Sequence, residues 1–160
     1  MFHAIERLVQ WWAHSYGDGT LLSAAVTYLH LAGILVAGGL AVAADRASLL
    51  LCPEAEHDPS PELRRLRAAH TLVLAGLAVT AASGALMLFA DLRTYLTSAV
   101  FWAKMALILL LLGNGWLRLG AERSLENGLD AWRRLRRTSA ASVVLWFGVL
   151  LAGVFLTTIS

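Results

Sequence analysis

The chain has a single cysteine, Cys52, which excludes an intramolecular disulfide, a thiolate zinc cluster and an iron–sulfur site built by this chain alone. Proline is nearly as scarce, and Pro53, Pro59 and Pro61 all fall in one polar stretch. Charged residues make up only 15% of the chain against 58% hydrophobic, with a mean hydropathy of +0.65. A water-soluble domain of 160 residues is not so apolar. No Ser/His/Asp set, paired-carboxylate site or glycine-rich phosphate loop occurs, and Gly38-Gly39 lies inside an apolar run, where it reads as close packing. The acidic residues read as loop or helix-end positions, which argues against a proton pump built on intramembrane carboxylates. The net charge of +2 and the pI near 9.1 come from arginines confined to particular loops. That pattern signals topology rather than a nucleic-acid partner.

What the chain does have is four apolar runs, at about 21–44, 68–90, 98–119 and 139–159, each near the ~20 residues that cross ~30 Å of hydrocarbon. They predict an all-α fold, an integral-membrane antiparallel four-helix bundle forming one domain over 1–160. Residues 1–20 place Phe2, Ile5, Leu8, Val9 and Trp12 at helical spacing opposite Glu6, Arg7 and Gln10. This is an interfacial amphipathic helix with Trp11 and Trp12 at headgroup level. It lacks the basic region and cleavage site of a signal peptide and is expected to be retained. Residues 45–67 read as a polar linker, 91–97 as a tight turn, and 120–137 as a charged, partly helical connection. Arg46, Arg64, Arg65 and Arg67 in the first loop, and Arg118, Arg123, Arg133, Arg134, Arg136 and Arg137 in the third, outnumber Arg7 and Arg93 elsewhere. By the positive-inside rule those loops are cytoplasmic and both termini lie outside a plasma (inner) membrane. Cys52 is then a free thiol in a reducing compartment.

Membrane helices pack through small and weakly polar residues. In the first run Ser23, Thr27, His30, Gly33, Ala37, Ala41 and Ala44 form one stripe, matched by Gly76, Thr80, Ser83 and Met87 in the second. Lys104 and Leu111, with Asn114 to one side, mark the third, and Ser142, Val149 and Gly153 the fourth. Helix rise places His30 ~13 Å below the outer end of its helix, Thr80 and Ser83 ~10–15 Å and Lys104 ~8–9 Å below theirs. These residues share a layer. His70 lies ~15 Å or more deeper, so one metal centre bonded by both imidazoles is not expected.

An ionisable residue in a spanning helix is costly and marks a site by default. His30 has three readings: an interhelical packing histidine, an axial haem ligand, or part of a copper site or proton relay. Lys104 either snorkels to the outer interface, pairs with a haem propionate, binds iron, or accepts a proton. Asn114 between Gly113 and Gly115 reads as packing glue, and His70 as an interfacial histidine. His3, Arg7 and His14 share a face of the N-terminal helix, where with Met1 they could capture copper. Sulfur ligands for copper(I) are few, however, with only Met1, Met87, Met105 and Cys52 present.

The stretch His30-Leu31-Ala32-Gly33-Ile34-Leu35-Val36-Ala37-Gly38-Gly39-Leu40 resembles the first helix of the copper-resistance CopD membrane domain. The likeness continues through Arg64-Arg65-Leu66, Ser83-Gly84, Lys104 and Asn114. The same outline resembles the HemJ-type protoporphyrinogen oxidases, four-helix membrane proteins that bind haem b. There His30 corresponds to the first-helix histidine, Arg46 to an arginine at that helix's cytoplasmic end, and Trp102 and Lys104 to a Trp-x-Lys element. The chain differs in having Val36 or Ala37 in place of a tryptophan before the glycine pair, and no histidine after Lys104 in the third helix.

The expectation is therefore a membrane haem b redox protein. His30 is its metal ligand and, with Lys104, its catalytic pair, and Thr27, Thr80, Ser83 and Trp102 line the cofactor pocket. Its partners are the lipid bilayer, a quinone or other membrane-soluble substrate, and a second copy of the chain. The alternatives are a CopD-like copper-handling protein and a cofactor-free membrane subunit.

Overall fold

The computed structural model describes residues 2–50, 60–124 and 129–159, with side chains over 6–50, 70–124 and 130–158. All the regular structure among these residues is helical: α1 (Phe2–Asp18), α2 (Thr20–Leu50), α3 (Ser60–Ala90), α4 (Leu92–Thr97), α5 (Ala99–Arg123) and α6 (Leu129–Ile159). Four segments, Thr20–Leu50, His70–Ala90, Ala99–Arg123 and Asp130–Thr158, are long and apolar enough to cross a membrane. Between 11% and 22% of each apolar window is buried within the chain, so most of that surface is left for lipid to cover. The protein is an all-α, multi-pass membrane protein.

The helices run past the expected spans. α2 continues through Asp45 and Arg46 to Leu50, α3 begins at Ser60, and α6 begins at Leu129. At 31 residues each, these helices are ~46 Å long, more than the ~30 Å of hydrocarbon. The excess follows from helix cooperativity, because propagation continues until a breaker intervenes and residues 45–50 contain neither glycine nor proline. The expected turn at 91–97 is instead the short helix α4, whose N-cap Asp91 accepts a hydrogen bond from the Thr94 N–H at 3.2 Å. Cys52 and the linker prolines Pro53 and Pro59 lie outside the described residues.

The chain forms two compact units, Met1–Gly39 with Thr71–Ser98, and Leu40–His70 with Ala99–Ser160. In the first, α2 and α3 run antiparallel, with His30 beside Ser83, Gly33 beside Thr80 and Ala37 beside Gly76. A Cβ on Gly33 would lie 2.5 Å from Thr80 Oγ1 and 2.9 Å from the Gly76 carbonyl oxygen, and one on Gly76 would lie 2.9 Å from Ala37 N. The predicted small-residue stripes are thus filled by the facing backbone. Such approach lets dispersion hold helices together where lipid supplies no hydrophobic drive. Helix α1 is fastened to the same unit by Trp12, whose Nε1–H donates to the Leu86 carbonyl at 2.8 Å. Trp11 on its other side is exposed.

In the second unit α5 packs antiparallel on α6. Leu107 meets Gly148, and Asn114 Nδ2 donates to the Thr138 carbonyl at 2.8 Å. Leu111, Leu135, Trp146 and Val149 are buried.

The glycine contacts predict opposite effects from one kind of substitution. Gly33→Ala forces its Cβ onto backbone and should cost about 1–3 kcal/mol of stability. Gly39→Ala, which has nothing within 4 Å of the new atom, should be neutral or stabilise by up to about 1 kcal/mol; thermal unfolding in detergent compares the two. At α4, the Thr94 hydroxyl and N–H hold the Asp91 carboxyl below its ordinary 3.8. The cap's contribution is therefore full above that ordinary value and fades as pH falls through the lowered one. An NMR titration of Asp91 should show a midpoint below 3.8 that returns toward it in Thr94→Ala.

Candidate functional site

The first unit presents His30 in a defined setting. Its Nδ1 lies 3.0 Å from the Thr80 carbonyl oxygen and 3.1 Å from Ser83 Oγ. A carbonyl can only accept, so Nδ1 carries the ring proton. Ser83 donates its own proton to the Val79 carbonyl at 2.6 Å, which leaves its oxygen as a second acceptor for the imidazole. In the neutral ring the lone pair is then on Nε2. Ligating histidines are held in this way, with the second nitrogen donating to a carbonyl that fixes tautomer and orientation. Gly84 makes the space for the ring, because a Cβ there would stand 3.0 Å from His30 Cε1. Thr80 turns its hydroxyl back to the Gly76 carbonyl at 2.9 Å. Thr80 and Ser83 therefore support the Nδ1 edge of the ring rather than form a separate wall, and Thr27 sits half-buried one turn before His30 on α2.

Lys104 and Trp102 belong to the second unit. Lys104 is half-buried, with Nζ 3.7 Å from where a Cβ of Gly153 would stand, so the absent side chain on α6 makes room for the ammonium. Trp102 is 56% exposed and meets Phe101 edge-on, with ring centroids 5.5 Å apart. This is the setting of a lipid-facing residue of an aromatic belt. Asn114 serves as packing glue through Thr138. His70 is half-buried in the second unit, and the exposed His14 lies 3.2 Å from Asp18. The side chains of Met1 and His3 lie outside the described residues, and among those described no group of three or more His, Cys, Asp or Glu side chains could hold a metal ion.

A second polar cluster lies within the second unit. Arg118 on α5 places Nε 2.7 Å from Asp45 Oδ1 and Nη1 2.9 Å from Glu122 Oε1, and its Nη2 donates to Ser48 Oγ at 3.2 Å. Ser139 lies 3.4 Å from Nε, and the hydroxyls of Ser139 and Ser142 hydrogen-bond the Asp45 carboxylate. The Asp45 side chain is 2% exposed. Asp45 is thus no linker residue but a buried charge within α2, and Arg118 is no free topology charge but the centre of a junction between α2, α5 and α6. One part was visible beforehand, since Arg118 and Glu122 stand four apart on a helix. The partner on α2 was not.

Comparison with models of known protein families, with curated proteins and with solved structures finds no match. The chemistry of these two clusters has to be read from their own atoms.

Removing the guanidinium leaves the buried Asp45 and the half-buried Glu122 without their shared cation. Arg118→Leu should destabilise the protein by about 3–5 kcal/mol. Arg118→Leu combined with Asp45→Leu and Glu122→Gln, which leaves no unpaired charge, should recover much of that loss; unfolding in detergent measures both.

Proposed function

We propose that the chain is a multi-pass haem b protein of the plasma membrane, in which Nε2 of His30 would hold the iron. The observation that carries this reading is the Nδ1–H bond to the Thr80 carbonyl, which puts the lone pair of a neutral imidazole on Nε2. One imidazole nitrogen of this kind fits an axial ligand. The glycine contacts between α2 and α3 leave no gap for a macrocycle between those two helices, so the group would be held at the Nε2 edge of the ring rather than in the small-residue seam.

When bound, haem supplies one-electron chemistry at the iron. The chain's own part is to orient the imidazole through Thr80, to give Nδ1 a second acceptor in Ser83, and to keep water from the ring through the α2–α3 contact. Hydrogen bonding at Nδ1 raises the basicity of Nε2, the lever by which a protein tunes such a metal. Lys104, the only lysine in the chain, belongs to the second unit, and its amine is a candidate proton-handling group there. The substrate class is a membrane-soluble reductant or quinone, reached from the bilayer. Arginine-rich first and third loops support cytoplasmic loops with both termini outside. The likeness to the HemJ-type and CopD membrane proteins agrees with the position of His30, and CopD-type proteins handle copper.

A second reading is a cofactor-free membrane subunit in which His30 locks α2 to α3. It is favoured by the same glycine seam, which already uses the small-residue stripe for packing.

A visible spectrum of protein purified from a haem-sufficient host separates these readings. The haem reading predicts a Soret band that disappears or shifts in His30→Ala while the protein stays folded. A colourless protein supports the cofactor-free reading. Copper in place of haem, lost in the same variant, supports copper handling.

A further inference from the structure

Among the described residues, the second unit sets two carboxylates, Asp45 and Glu122, against the one guanidinium of Arg118. Asp45 and Glu122 both contact Arg118, and among the described residues no other cation meets them: Arg46 on α2, Arg123 on α5, and Arg136 and Arg137 on α6 are exposed. From α6 the cluster receives only the hydroxyls of Ser139 and Ser142. With both carboxylates ionised the cluster would carry a net charge of about −1 in a medium that stabilises isolated charge poorly.

The hydrogen bonding points the same way. Asp45 Oδ1 and Glu122 Oε1 are buried and neither receives an aligned hydrogen bond, although each lies within ion-pair distance of Arg118. Ser48 cannot supply one, because its proton goes to the Ala44 carbonyl at 3.0 Å. Two acceptor atoms thus face one donor group that is aligned with neither.

We propose that Asp45 and Glu122 together bind one exchangeable proton beside Arg118, so that the cluster is a neutral proton-binding site joining α2, α5 and α6. The step is proton transfer alone: an O–H bond forms on one carboxylate, and nothing is oxidised or reduced. Whichever carboxylate carries the proton, the same guanidinium faces both. A proton suits the site better than a metal cation, which would have to lie against the positive guanidinium. The inference does not rest on the haem reading, since His30 and its partners lie in the other unit.

Infrared spectroscopy of the full chain in nanodiscs at neutral pH tests it. The wild type should show a protonated-carboxyl C=O band that shifts in D₂O. Glu122→Gln and Asp45→Asn should each abolish the band, because each leaves one carboxylate for one guanidinium. The described carboxylates other than these two, Glu6, Asp18, Asp91 and Asp130, are exposed, so they do not compete for the assignment. Absence of the band in wild type, as a bound sodium or potassium ion would produce, overturns the proposal. So does a band that persists undiminished in Glu122→Gln, the milder variant, which decides the matter if Asp45→Asn fails to fold.

Discussion

The approach of α2 to α3 through Gly33 and Gly76 is the contact on which the rest of the first unit depends. In a bilayer apolar side chains gain nothing by leaving lipid for one another, so two helices stay together only if their surfaces interlock closely or their polar groups pair. Here both conditions meet on one seam. The backbones come near enough that a single methyl group at either glycine would strike the facing chain. That nearness, and the gap at Gly84, bring the His30 ring within hydrogen-bond distance of the Thr80 carbonyl. A wider seam would leave Nδ1 short of its acceptor and its tautomer unspecified.

The second unit solves a harsher form of the same problem. Its helices bring a guanidinium and two carboxylates together with little exposure, and charged groups so placed need partners within the protein. The answer is a junction in which each of three helices supplies part of the set: Asp45 and Ser48 from α2, Arg118 and Glu122 from α5, Ser139 and Ser142 from α6. Removing one member of such a set exposes the cost of the others, so the cluster ties α2 to α5 and α6 more by penalty than by net attraction. The two units thus hold their polar groups by different means, a histidine hydrogen-bonded to a facing backbone carbonyl in one and a guanidinium shared by two carboxylates in the other.

The four spans and the amphipathic first helix were legible in the sequence because they are properties of single stretches, which hydropathy and helical period report directly. The stripe through Gly33 and Ala37 was legible for the same reason, and so was the shared depth of His30 with Thr80 and Ser83. Their roles were less so, since two polar residues at one depth can equally line a cavity or support a ring, and periodicity does not distinguish the cases. Asp45 was misjudged because an acidic residue near the end of an apolar run looks the same whether it faces water or a buried arginine. The arginine that decides the matter lies on α5, and no spacing rule links the two. Asp91 and Thr94 form a cap by local geometry, yet 91–97 was too short and too polar to show a helical period.

Through the Thr80 carbonyl, α3 presets the His30 imidazole with a proton on Nδ1, so that in the neutral ring the lone pair is on Nε2. Nitrogen-15 NMR of histidine-labelled protein without cofactor, with the His30 signals assigned by difference from His30→Gln, tests this directly. The expected spectrum shows a protonated, pyrrole-type Nδ1 and an unprotonated, pyridine-type Nε2 for His30, with that preference lost when Gly33→Ala parts the helices. A proton on Nε2, or equal population of the two tautomers in the native protein, would contradict it.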